Sequence, residues 1–224
     1  MATWIAHLRV AENILKKYKF EVEPFLVGNI GPDSGVPNED WSQFDPPKKI
    51  THWKDEEGKI NADAFYEEYI RDDKLSDNRE RNSFLIGYYF HLIADIEWDK
   101  IVKRLKENLI YKERLENDPS FIWTVKEDWY GLDFKYLNEN LESVFFKKFI
   151  HIQDVPDYLD YFPKGAIEKQ TKYIRDYYLN EKPDFNREFE YLTKEEMDNY
   201  VVSTTKIIEE IGKQKKLFRK KGSF

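Results

Sequence analysis

A chain of 224 residues is long enough for one sizeable core, and it is read as a single domain over 1–224. Its net charge of −7 withholds the broad cationic footprint of a general nucleic-acid binder, and the absence of cysteine excludes disulfides and thiolate metal sites. Charged residues at 35%, beside 6 Trp, 15 Tyr and 16 Phe, point to helices with solvated charged faces around an aromatic core. Trp4, His7, Ala11, Ile14 and Tyr18 recur at spacings of three and four, which predicts an opening helix with His7 facing inward. That helix is expected to stop ahead of Glu23-Pro24, because the residue before a proline avoids helical geometry. Residues 25–59, broken by Gly28, Gly31, Pro32, Gly35, Pro37 and the pair Pro46-Pro47, are expected to form loops and short turns.

A helix resumes near Asn61 and runs to about Arg71, with Glu67, Glu68, Asp72 and Asp73 as a solvated face. Asp77, with Glu80 three residues on, predicts the capping box of a long helix over about 77–105. Beyond it, breaks at Asn117-Asp118-Pro119, Val155-Pro156, Phe162-Pro163 and Lys182-Pro183 separate helices near 119–140, 140–150, 164–180 and 193–218. The basic run Lys213 to Lys221 reads as a solvated helix end. Strand patterns are scarce, so the expected fold is all-α, a multi-helix bundle around a long central helix. No apolar stretch is long enough to span a bilayer and residues 1–20 carry no secretory signal, so a cytoplasmic location is expected.

Without cysteine, any ion falls to His, Asp or Glu. Of the four histidines, His91 stands four residues before Asp95, which places both side chains on one face a turn apart. The pair lies inside the apolar run Phe84 to Ile96, where a carboxylate needs a partner because desolvating it alone is costly. Gly87, which costs a helix about 1 kcal/mol against Ala, suggests close approach of another backbone. Asp33 follows a glycine-rich loop from Gly28, and His52 stands in Thr51-His52-Trp53. Alone, each has an ordinary reading: a turn Asp, a packed aromatic. Together with inward His7 they make three imidazoles and two carboxylates, sufficient for a site of one or two ions with open positions. His151, between Ile150 and Ile152, reads as a core histidine instead.

The order of these motifs resembles the zinc-dependent phospholipase C family, to which the single-strand-specific zinc nucleases are more distantly related in fold. The resemblance rests on the inward His7, the loop Gly28 to Asp33, Thr51-His52-Trp53 and Gly87-x-x-x-His91-x-x-x-Asp95, and covers about residues 1–105. It implies an all-helical fold with zinc in a cleft and cleavage of a phosphoester bond by a metal-activated water. Asp33, His52, His91 and Asp95 would hold one ion, His7 would join Asp95 on a second, and Asp33 would double as general base. The chain departs from the family in having no His between His91 and His151 and no His-x-x-x-Glu after the helical pair, so one or two ions are expected rather than three. A small soluble phosphoester is the expected substrate. The alternative is a non-catalytic metal-binding or protein-interaction member of the same fold.

Overall fold

The computed structural model describes residues 1–39, 42–71 and 74–218. The chain opens with helix α1 (Trp4–Lys17), started by the Thr3 hydroxyl, which accepts from Ala6 N, and ended on Lys16 and Lys17, whose charges suit a helix C-terminus. It stops earlier than Glu23-Pro24. That dipeptide instead begins a second helix, α2 (Val22–Gly28), in whose first turn the missing N–H of Pro24 leaves no bond unmade. A single 3-10 turn follows at Gly31–Asp33. A two-stranded antiparallel ribbon pairs β1 (Val36–Pro37) with β2 (Phe44–Asp45), and α3 (Lys48–Thr51) is one turn long. The segment expected to be irregular therefore carries two helices.

Helix α4 (Ala62–Tyr69) begins at Asn61 as its spacing predicts, with Glu67 and Glu68 exposed; Asp72 and Asp73 lie outside the described residues. The long helix α5 spans Arg79–Glu107. Its cap is Asn78, whose side chain accepts from Arg81 N, rather than Asp77. Every residue from Ser83 to Asp95 is buried, so this stretch is covered on all sides, the mark of a central helix.

An additional helix, α6 (Leu109–Asn117), was not legible in the sequence; it buries only Tyr111 and so has almost no apolar stripe. Next come α7 (Phe121–Glu139), α8 (Val144–Lys147), a 3-10 turn at Phe149–His151, α9 (Ala166–Asn180) and α10 (Lys194–Gln214). The expected helix over 140–150 is thus broken into two short turns. These turn Phe149 and Ile152 inward and leave His151 exposed, which corrects its reading as a core residue. Thr193 and Glu196 form the capping box of α10. Part of the basic run after it is docked: Lys215 pairs with Asp63 at 3.0 Å and lies 3.8 Å over the ring of Tyr66, while Arg219 to Lys221 lie outside the described residues.

Packing around α5 places the site. On one side α2 crosses at backbone contact, because a Cβ on Gly28 would stand 2.1 Å from the Phe84 oxygen and one on Gly87 2.4 Å from the Phe25 oxygen. On another, Tyr200 of α10 donates its hydroxyl to the Ala94 oxygen at 2.9 Å, and Trp98 meets Trp129 and Tyr200 edge to face. The fold is all-α, with ten α-helices and one two-stranded sheet among the described residues. No helix among them is long and apolar enough to cross a membrane.

Candidate metal centre

Five side chains from four elements converge where α1, α5 and the 25–52 segment meet. His7 comes from the first turns of α1, His91 and Asp95 from the buried middle of α5, Asp33 from the 3-10 turn, and His52 from the residue that ends α3. These are the residues that the sequence singled out, and the fold brings all five together. The rings of His7 and His91 stack at 3.8 Å with 7° between planes, and His52 meets His91 at 5.5 Å and 66°.

Four of the five side chains are aimed by a hydrogen-bond contact; His7 is not, its Nδ1 having no hydrogen-bond partner. His91 Nδ1 lies 2.8 Å from the Asn29 carbonyl oxygen, which can only accept, so Nδ1 carries the hydrogen and Nε2 presents a bare lone pair. His52 Nδ1 is 2.9 Å from the Thr51 hydroxyl. Asp33 Oδ2 accepts from the Trp4 indole N–H at 3.1 Å, and Asp95 Oδ1 accepts from the Ala2 backbone N–H at 2.7 Å.

The distances between the inward atoms are informative. His52 Nε2 and His91 Nε2 each stand 3.4 Å from Asp95 Oδ2; His52 Nε2 is 3.5 Å from Asp33 Oδ1, and His7 Nε2 is 3.5 Å from Asp95 Oδ1. These separations are long for hydrogen bonds, and Nε2 of all three histidines, with Asp95 Oδ2, has no hydrogen-bond partner. Four such orphans in one buried spot would be costly unless something joined them. Two ligands of a tetrahedral zinc, each about 2.0–2.1 Å from it, stand about 3.3–3.4 Å apart, close to what is found. Two overlapping triads, His7–His91–Asp95 and Asp33–His52–His91, each offer ligand atoms within 4.8 Å of one another. The residues therefore fit a divalent ion, with Asp95 facing His7 with one oxygen and the other histidines with the second.

Electrostatics suit the same role. Burial, then the neighbouring His91, push His7 down to about 4, so it is a neutral ligand at pH 7. Burial works against ionising Asp33 and Asp95, but both carboxyls are held well below the usual range, Asp33 by His52 and His91, Asp95 by the N-terminal ammonium first and then the histidines. Burial opposes charge on His52 too, yet Asp33 and Asp95 together raise it.

His7, His52, His91 and Asp95 are 0% exposed, so the cluster is closed on every side but one. Asp33 belongs to the wall of a cavity of about 620 Å³, shared with Trp4, Lys48, Lys126, Tyr130 and Tyr177. Sequence reasoning missed Asn29, which acts through its backbone, and the two cavity lysines, whose positions only the fold reveals. His151 has no part in the cluster. Compared with known family models, curated proteins and solved structures, the chain matches none.

Proposed function

We propose that His7, Asp33, His52, His91 and Asp95 hold one or two divalent ions, with zinc the ion that this donor set suits best, and that the protein hydrolyses a phosphoester. One observation carries the reading: Asp33 belongs at once to the donor cluster and to the wall of a cavity large enough for a small molecule. The motif resemblance to the zinc-dependent phospholipase C family supports the same reaction class. A bound ion would stabilise charge on the phosphoryl oxygens and lower the pKa of water.

The chain's own groups would do the rest. Asp33, kept ionised, is placed to orient an attacking water from the cavity and accept its proton, while the Trp4 N–H fixes its other oxygen. The histidine rings close the inner wall against solvent, which strengthens every charge interaction inside. Outward, the cavity gives the product and the proton a route to solvent.

The near-complete burial of four donors favours a second reading, a metal-binding protein without turnover. Metal analysis of protein purified without added metal, followed by turnover of an activated phosphodiester and phosphomonoester, separates the two. Hydrolysis that a chelator abolishes and metal restores supports the hydrolase. Stoichiometric metal with no ester turned over leaves the binding protein.

A further inference from the structure

Two lysines stand in the cavity wall beside Asp33 without a carboxylate partner. Lys48 begins α3, four residues before His52, and Lys126 lies on α7; both are half-buried. Neither makes an ion pair among the described residues, whereas Lys49, next to the first, reaches Glu56 at 3.0 Å. Each ammonium rests only over a ring: Lys48 Nζ 5.0 Å from the centroid of Phe44, Lys126 Nζ 4.4 Å from that of Trp123.

They also feel one another. Burial first, and then Lys48, push the Lys126 ammonium below its ordinary value, and only Asp33 pulls the other way. The cavity's other carboxylates leave this charge in place: Glu127 is held by Arg187 at 2.7 Å, and no ion pair joins Asp99 to either lysine. Two like charges lining one half-buried cavity wall destabilise the free protein unless an anion relieves them. The same cavity is lined by an aromatic cluster in which Trp4 meets Tyr130, Tyr173 and Tyr177 at 5.9–6.2 Å between centroids.

Resting on the hydrolase reading above, we propose that Lys48 and Lys126 recognise the phosphate and select a monoester dianion, whose flat aromatic group lies against the Trp4–Tyr130–Tyr177 wall. At neutral pH a phosphomonoester carries close to two negative charges, because its second pKa is about 6, and a diester carries one. Two unpaired ammoniums beside a metal centre match the first. Diesters would enter the same cavity and leave part of this charge unanswered.

The test uses metal-loaded wild type, Lys48→Met, Lys126→Met, the double variant and the matching Lys→Arg pair, with metal content measured throughout. Inorganic phosphate and phenyl phosphate are titrated by calorimetry, and kcat/KM is compared for para-nitrophenyl phosphate and its methyl diester. The expected result is unchanged metal content, phosphate affinity lower by about tenfold for each Lys→Met, and substantial recovery in the Arg variants. The monoester should lose about tenfold or more in kcat/KM while the diester changes little. Phosphate affinity unchanged in the double variant, or equal loss on both esters, overturns the proposal even if turnover confirms the hydrolase. Phosphate affinity that falls in the Met variants and recovers with Arg, in a protein that turns over neither ester, sustains the anion site and removes the hydrolase. Phenyl phosphate binding no more tightly than phosphate removes the aromatic half.

Discussion

His91 donates its Nδ1 hydrogen to the backbone oxygen of Asn29 at 2.8 Å, and this contact turns the ring so that Nε2 faces Asp95 and His52. The bond is possible only because α2 lies against α5 with no side chain between them at Gly28 and Gly87. A backbone packing detail thus sets the tautomer of a candidate ligand.

His91→Ala and Asp95→Ala should each lower metal affinity by more than about 100-fold, since removing a ligand exceeds the 10–100-fold effect typical of an outer partner. Elemental analysis after dialysis reads the outcome. His151→Gln is the control: exposed and outside the cluster, it should keep its metal and stay within about 0.5 kcal/mol of wild type. Retained stoichiometric metal in both alanine variants would place the ion elsewhere.

Gly87→Ala sets two effects against each other. Helix propensity favours alanine by about 1 kcal/mol. The new Cβ would meet the Phe25 oxygen at 2.4 Å, and a backbone atom cannot swing away. Strain should prevail, with a net loss of about 1–3 kcal/mol in urea unfolding of the metal-free protein. Metal affinity should fall as well, because the displaced α2 carries Asn29 away from His91. A stabilised variant would show that the helices have slack.

Asp33→Asn should separate catalysis from binding. The amide oxygen can take the carboxylate's place toward the ion, at the cost of the Trp4 hydrogen bond, but the amide cannot accept a proton. Turnover should drop at least about 100-fold, with metal affinity reduced by no more than about tenfold. Turnover that merely follows metal occupancy would make Asp33 a ligand and nothing more.

Asp133 gives the protein a pH dependence of its own. It is buried on α7, accepting from Thr3 at 2.7 Å and from Tyr178, and burial pushes its carboxyl up to about 7 despite both bonds. Below the unfolded value of 3.8 both states hold the proton; above it the unfolded chain ionises first, so this group's stabilisation is lost as pH rises toward 7. At about 1.4 kcal/mol per pH unit, the loss approaches about 4 kcal/mol. Asp133→Asn, which mimics the protonated form, should therefore lack this decline. Urea unfolding of metal-free protein at pH 4, 6 and 8 should show the variant gaining on wild type as pH rises. Parallel curves would mean that Asp133 ionises normally.

The convergence of the five candidate side chains was legible because it rests on local features: an i, i+4 pair in an apolar run, a glycine loop, and a histidine on an inward helical stripe. What escaped was decided at a distance or by a choice among near-equals. Asn78 and Asp77 are equally good caps, and the helix start chose between them. Proline ends helices but also begins them: α1 stops ahead of Glu23-Pro24 as expected, and what escaped is the helix α2 that has this dipeptide in its first turn. His151 has apolar neighbours on both sides, yet a 3-10 turn buries Phe149 and Ile152 instead. The Thr3–Asp133–Tyr178 chain joins residues far apart in sequence, which no local pattern signals.

Along α5, Gly87, His91 and Asp95 succeed one another every four residues, so the contact that seats the helix and the two groups that face the candidate metal site share one phase. A helix advances about 100° per residue. Deleting or inserting one residue between Gly87 and Asp95 would therefore swing the later groups a quarter-turn or more away while the glycine stayed seated. The segment can exchange side chains on its other faces, but its length is fixed. In this protein the spacing along the chain is as much a part of the metal centre as the atoms that would touch the ion.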